Sequence, residues 1–341
     1  MMSIQPGVSQ TMVRTGLQMA AAGGREGACS APLKDGRSLV IGGNNAGGPL
    51  AAEECFERGG RFRSVSPMLA PRTDHVCIAL DDGTVLVVGG AISRDSLTNA
   101  AEIFHPDANS WTPAGPMLTA RRSAAIILLN NGKALVAGGS GQAITTFEIY
   151  DLADNRFEQA AGTLSAARTG YALAILGDGR VLIAAGFEQG RALDSMDIYD
   201  PATGIAYAGR MSVARANFTA TALDDGRVLL TGGTDGTHEL ASPEVYDPAT
   251  GGIARAGPLA APQQNHIAVR PARTGRVLSA GGTAGGRQAT SAELFTPAEN
   301  AFEPASEAGD RDSSTPAISI GILGSDATLR AVKPIAFPQK V

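Results

Sequence analysis

One stretch of this chain is written more than once. Residues Asp178 to Gly204 read DGRVLIAAGFEQGRALDSMDIYDPATG, and Asp225 to Gly252 read DGRVLLTGGTDGTHELASPEVYDPATGG. A unit repeated at a fixed period of a few tens of residues cannot bury its apolar face alone, so it folds only by stacking on its neighbours. The landmark that closes the apolar run falls at Gly42, Gly89, Gly138, Ala185, Gly232 and Gly281, at spacings of 47 to 49 residues. Each unit has four parts. An apolar stretch comes first, as in HVCIAL (75–80), and an Asp-Gly or Asn-Gly turn then leads into a β-branched run, as in DGTVLVVGG (82–90). Asp-Gly between two apolar runs signals a hairpin, with both turn positions expected at positive φ. The third part is an acidic residue, an aliphatic and an aromatic (EIFHP, EIYDL, DIYDP, EVYDP, ELFTP), and the fourth carries one large apolar residue, as in NSWTPAGPM.

Four strands per period of about 48 describe the blade of a β-propeller. The fold expected is all-β: a single domain over 1–341, with blades near 25–65, 72–113, 121–159, 168–208, 215–256 and 263–304. A seventh is assembled from 315–341 plus 10–19. In that blade the N-terminal stretch QTMVRTGLQM (10–19) supplies the fourth strand and Phe337 the aromatic of the third, which removes an exposed edge. Six blades and a tail is the alternative. The DGxVLVxGG turn-and-strand followed by Glu-aliphatic-Tyr/Phe resembles Kelch repeats, in the bacterial form related to the propeller of galactose oxidase, over nearly the whole chain. The resemblance implies fold far more than function, because such propellers include oxidases, epimerases and pure interaction modules.

In that family the first strands line the axis, and their starts sit near one mouth of the channel. Aligning the copies gives an outer ring of Arg25, Arg72, Arg121, Arg168, Arg215, Gln263 and Thr315. Guanidinium forks suit a carboxylate or phosphate ligand. However, an acidic residue recurs in the third strand (Glu54, Glu102, Glu148, Asp197, Glu244, Glu293), and pairing with it is the stronger expectation. A second ring follows three residues later: Ala28, His75, Ala124, Tyr171, Phe218, His266 and Ile318, with Asp74, Asn217 and Asn265 just ahead of it. His75, Tyr171 and His266 are the candidate catalytic groups, expected to converge on the axis. His75, His266 and Asp74 form the candidate set for a divalent metal. The five arginines with Asn217 and Asn265 are the candidate ligand-binding residues.

The galactose oxidase resemblance implies copper held by histidines and tyrosines, one tyrosine crosslinked to cysteine. His75 matches a ligand histidine, but Asp74 stands where the tyrosine is expected, and Cys29 lies one residue from the cysteine position at Ala28. No radical-copper cofactor is expected. His105 and His238 fall in turns and loops.

Composition narrows the partners. A net charge of −5 argues against a nucleic-acid binder. No apolar run is long enough to span a membrane. The start MMSIQPGVSQ lacks a secretory pattern, so a cytoplasmic setting is expected, with a secreted protein whose signal has been trimmed as the alternative. Three cysteines (Cys29, Cys55, Cys77) without CxxC spacing argue against a disulfide framework and a zinc site. The loops after the second strands (GGNNAGGPLA, GGAISRDSLTNA, GGTDGTHELAS, GGTAGGRQATS) vary on a constant frame. With aromatics at 5% they suit a small polar or anionic ligand better than a protein partner. The chain is therefore read as a monomeric binding module, with an enzyme acting at the mouth, Arg72 or Arg168 orienting its substrate, as the alternative.

Overall fold

The computed structural model describes residues 15–19, 23–57, 62–141, 145–270, 274–289, 292–305, 321–323 and 329–331. Among these there is no helix, and six antiparallel sheets follow one another as the blades of a β-propeller, five of four strands and the first of seven because the N-terminal strand and a short hairpin join its four. Blade 2 is typical: Val76–Ala79, Val85–Val88, Ala101–His105 and Ser110–Ala114. First strands begin at Gly23, Val76, Ala125, Ala172, Thr219 and Ile267 in blades 1 to 6. The third-strand aromatic sits directly opposite the large apolar residue of the fourth strand in every blade. The pairs are Phe56 with Phe62, Phe104 with Trp111, Tyr150 with Phe157, Tyr199 with Ile205, Tyr246 with Ile253 and Phe295 with Phe302. Directly opposed side chains share a sheet face, so each pair forms a cross-strand contact, with rings about 5 Å apart in the aromatic pairs.

The Asp-Gly turns differ from expectation in one respect. Gly83 takes φ 95°, but Asp82 does not have a positive φ. Leu80 pairs with Thr84 across a three-residue loop, and the Asp82 carboxylate accepts the Thr84 N–H at 2.8 Å. This is a type I turn closed by a left-handed glycine, so only one turn position needs positive φ.

Strand side chains alternate between the two faces of a blade, and each face meets the neighbouring blade. The apolar core is accordingly divided into seams. Val76, Ile78 and Val88 of blade 2 meet Ala124, Ile126 and Val136 of blade 3. Ala125, Ile127 and Ala137 of blade 3 meet Val181, Ile183 and Tyr199 of blade 4. A disulfide joins Cys29 to Cys77 across the seam between blades 1 and 2, with the Cα atoms 6.1 Å apart, while Cys55 is free and buried. This corrects the expectation that the cysteines form no disulfide framework to the extent of one bond. The two cysteines are 48 residues apart, one repeat period, which brings them to facing positions of adjacent blades.

Of the expected seventh blade, a short hairpin is described, Gly321–Leu323 with Leu329–Ala331. The N-terminal strand Thr15–Met19 pairs antiparallel with the start of blade 1's first strand, Met19 opposite Gly23. The segment around Phe337, which it was expected to join, lies outside the described residues, as do Thr315 and Ile318.

Candidate functional site

The outer arginine ring does not reach the channel. Arg25 donates to the carbonyls of Gly42 (3.1 Å) and Ala52 (2.8 Å) and to the Glu54 carboxylate (3.1 Å). Arg72 bonds Gly89, Ala100 and Glu102 in the same way. Arg121 pairs with Glu148 at 2.6 Å, Arg168 with Asp197 at 2.9 Å and Arg215 with Glu244 at 2.9 Å. Four of the five carboxylates also take a backbone N–H from the linker entering their blade: Leu69 onto Glu102, Leu118 onto Glu148, Ser165 onto Asp197 and Ser212 onto Glu244. The arginine therefore ties second to third strand, and the acid ties the blade to its predecessor. Burial lowers the pKa of Arg25, Arg72, Arg168 and Arg215, and the facing carboxylates oppose it. The expected pairing is present in five blades. As a ligand-binding ring these arginines are a correction, since their forks are spent in the seams.

The second ring is likewise turned sideways, for the same geometric reason. His75 packs against blade 1, where its ring leaves no room for a side chain at Gly42. Burial, then the charge of Arg72, pushes its pKa down to about 3. Tyr171 lies against blade 3, donating its hydroxyl to the Ala137 carbonyl and accepting the Ala125 N–H at 3.0 Å. His266 lies against blade 5, its Nε2 3.0 Å from the Thr219 hydroxyl, and burial pushes its pKa down to about 4. The three occupy three different seams, so they do not converge. His75 and His266 are not brought together with Asp74, and among the described residues no group of three His, Cys, Asp or Glu side chains could hold a metal. A copper site of the oxidase kind does not fit: the one matching histidine is enclosed between two blades.

What faces the mouth is the residue just ahead of the second ring. Gly27, Asp74, Ser123, Gly170, Asn217 and Asn265 all take left-handed backbone, φ between 53° and 65°. Asp74 donates its N–H to Gly27 O (2.8 Å), Ser123 to Asp74 O (2.8 Å), Asn217 to Gly170 O (2.7 Å) and Asn265 to Asn217 O (2.9 Å). Backbone hydrogen bonds near the axis thus link blades 1, 2 and 3 to one another and blades 4, 5 and 6 to one another. Asn, Asp and Gly recur here because they tolerate this conformation best, and Ser123 is the one exception. Gly170 is needed a second way, because a Cβ there would stand 2.5 Å from Asn217 Oδ1.

Inside this ring lies a cavity of about 70 Å³, lined by Ser123, Gly170, Asn217 and Asn265, by the second-ring residues Tyr171, Phe218 and His266, and by the starts of the first strands of blades 3 to 5. At about 10–15 Å³ per water by the same measure, it has room for several waters or part of a small molecule. The hairpins after the second strands rise on this side: Ala91 pairs with Thr73 of the first-strand extension, Ser140 with Arg122 and Thr283 with Gln264. Arg122, which the ring alignment passes over, is half-buried here, its Nε 3.4 Å from Ser140 Oγ, and it makes no ion pair among the described residues. Its position one residue after a buried hub arginine is the signal that could have singled it out.

No family model matches the chain, and no curated protein matches it. Solved structures do. The structure of YjhT superposes with a TM-score of 0.63 over 89% of this chain and all of that one, at 14% identity. A fungal alcohol oxidase of the AA5 family, in complex with copper, superposes with a TM-score of 0.63 over 76% of this chain and 59% of that one, at 21% identity. At these identities the likeness shows the β-propeller fold alone.

Proposed function

We propose that this protein is a Kelch-type, seven-bladed propeller that binds a small polar ligand at the axial mouth, without chemistry of its own. The observation that carries the reading is the contrast at the mouth. Asn217, Asn265 and Ser123 line a cavity, while His75 is enclosed between blades and Tyr171 and His266, which also border the cavity, have the hydroxyl and Nε2 engaged by neighbouring blades. Arg122 at the rim suits an anionic group on the ligand. The Cys29–Cys77 disulfide supports an oxidising compartment, where such a bond persists, over the cytoplasmic setting expected from the N-terminal residues.

The test is a thermal-shift screen of small hydroxylated and carboxylated compounds against the wild type and an Asn217→Gly, Asn265→Gly double variant. Glycine keeps the left-handed backbone and removes only the amides. A ligand that stabilises the wild type and not the variant supports the reading. Equal binding by both, or turnover of the ligand, would sink it.

A further inference from the structure

Blade 6 breaks the rule of the other five. At the arginine position it has Gln263, whose Nε2 donates to Ser279 Oγ at 2.7 Å instead of to the acid. Ser279 is itself an exception. It sits directly opposite Glu293 in the sheet register, where the other blades oppose their acid with Val40, Val87, Val136, Ile183 and Leu230. Two departures from the repeat have therefore occurred together, and they turn the glutamine away. Glu293 keeps the linker bond, from Ala260 N at 3.0 Å, but its Oε1 is buried without a hydrogen-bond partner, and the residue is only 4% exposed. Gln263 is shorter than arginine by the guanidinium itself. The guanidinium that the other hubs set between acid and glycine carbonyl has no counterpart beside Glu293 Oε1, and Gly281 stands where Gly42, Gly89, Gly138 and Gly232 offer their carbonyls to it.

A buried carboxylate needs a counter-charge. We propose that the hub of blade 6 binds a monovalent cation, sodium or potassium, in place of the missing guanidinium, with Glu293 as its anionic ligand. Oxygen donors suit hard cations, and a single carboxylate balances one positive charge, whereas calcium takes six to eight oxygens and commonly several carboxylates. The surrounding seam is polar enough to hold the ion's remaining ligands: Thr221 and Thr231 of blade 5 each bury a hydroxyl without a partner facing blade 6.

The experiment is thermal unfolding of the full chain at matched chloride concentration with sodium, potassium or tetramethylammonium as the cation. A ligand that binds only the folded state raises the midpoint in a saturable way, by about 2–4 °C once it is well above its dissociation constant. The midpoint should be higher in sodium or potassium than in tetramethylammonium. Glu293→Gln should abolish the difference, and Gln263→Arg should abolish it while raising the midpoint in tetramethylammonium, since the variant carries its own cation. Equal wild-type midpoints in all three salts would overturn the proposal, as would a difference that survives in either variant. A rise seen only when calcium is added would overturn the monovalent assignment. Should Glu293→Gln fail to fold, Gln263→Arg decides by itself.

Discussion

The seam between blades 2 and 3 and the seam between blades 5 and 6 are built from the same repeat and filled differently. At three equivalent positions the first has Val76, Ile78 and Val88, and the second has Thr219, Thr221 and Thr231. On the facing blade, Arg121 pairs with Glu148 in the first, while Gln263 leaves Glu293 unpaired in the second. The difference teaches that the fold depends on shape and strand pairing, which valine and threonine share. Charge and hydrogen bonding in a seam can therefore change while the blade stays intact, and a polar seam inside a regular ring marks a place that does something besides hold the ring together.

The sharpest way to break this comparison is to unpair a complete hub. Arg168→Ala leaves Asp197 buried without its cation and should cost about 3–5 kcal/mol. Gln263→Ala removes one neutral hydrogen bond and should cost about 1 kcal/mol. Denaturant midpoints compare the two, and equal losses would mean the hubs are not different in kind.

The disulfide should come next. Replacing Cys29 and Cys77 together with alanine should cost about 2–4 kcal/mol, the range for closing a loop of this size. Thiol titration of the denatured protein should find one reactive group, Cys55, and three would mean the seam is not stapled.

Acid probes both ends of the ring at once. The folded-state pKa of His266, about 4, and of His75, about 3, lie below the ordinary 6.5 because burial disfavours the cation. The unfolded chain thus binds protons first. Stability should be full above pH 6.5 and fall as pH drops from there toward 4 and 3. His266→Gln should flatten part of that slope. In the opposite direction, burial and then Glu102 push the Glu53 carboxyl up to about 9 from 4.5. Its contribution is full below pH 4.5 and is lost as pH rises through 9, so Glu53→Gln should flatten the alkaline side. Midpoints measured from pH 4 to pH 9 check both, and an unchanged profile in either variant counts against the burial assigned to that group.

The smallest effect sharpens the comparison in the stabilising direction. Thr231→Val installs what blade 2 already has in Val88; in tetramethylammonium it removes a buried hydroxyl without a partner and should raise stability by about 1 kcal/mol, a gain that sodium or potassium should offset because the hydroxyl then serves the ion. The same gain in all three salts would show that the hydroxyl takes no part in holding an ion at Glu293.

The four-stranded repeat, the aromatic positions and the arginine–acid hubs were legible in the residues because each recurs with the period of the fold. A position that recurs six times shows its role through its neighbours. The disulfide was legible as well, had the 48-residue spacing been compared with the repeat period. The direction of the second ring was not. His75, Tyr171 and His266 occur at equivalent places near the axis, and only the packing of blade faces turns them sideways, because side chains stand perpendicular to a sheet whose edge, not its face, lines the channel. The sequence by itself determined the repeat, the strand pairing and the partners that recur within a blade, which are short-range and periodic. The tertiary structure alone decided which polar groups meet across a seam and which reach the mouth. Those contacts join residues a full blade apart, whose relation depends on the angle between neighbouring sheets, and no local pattern records that angle.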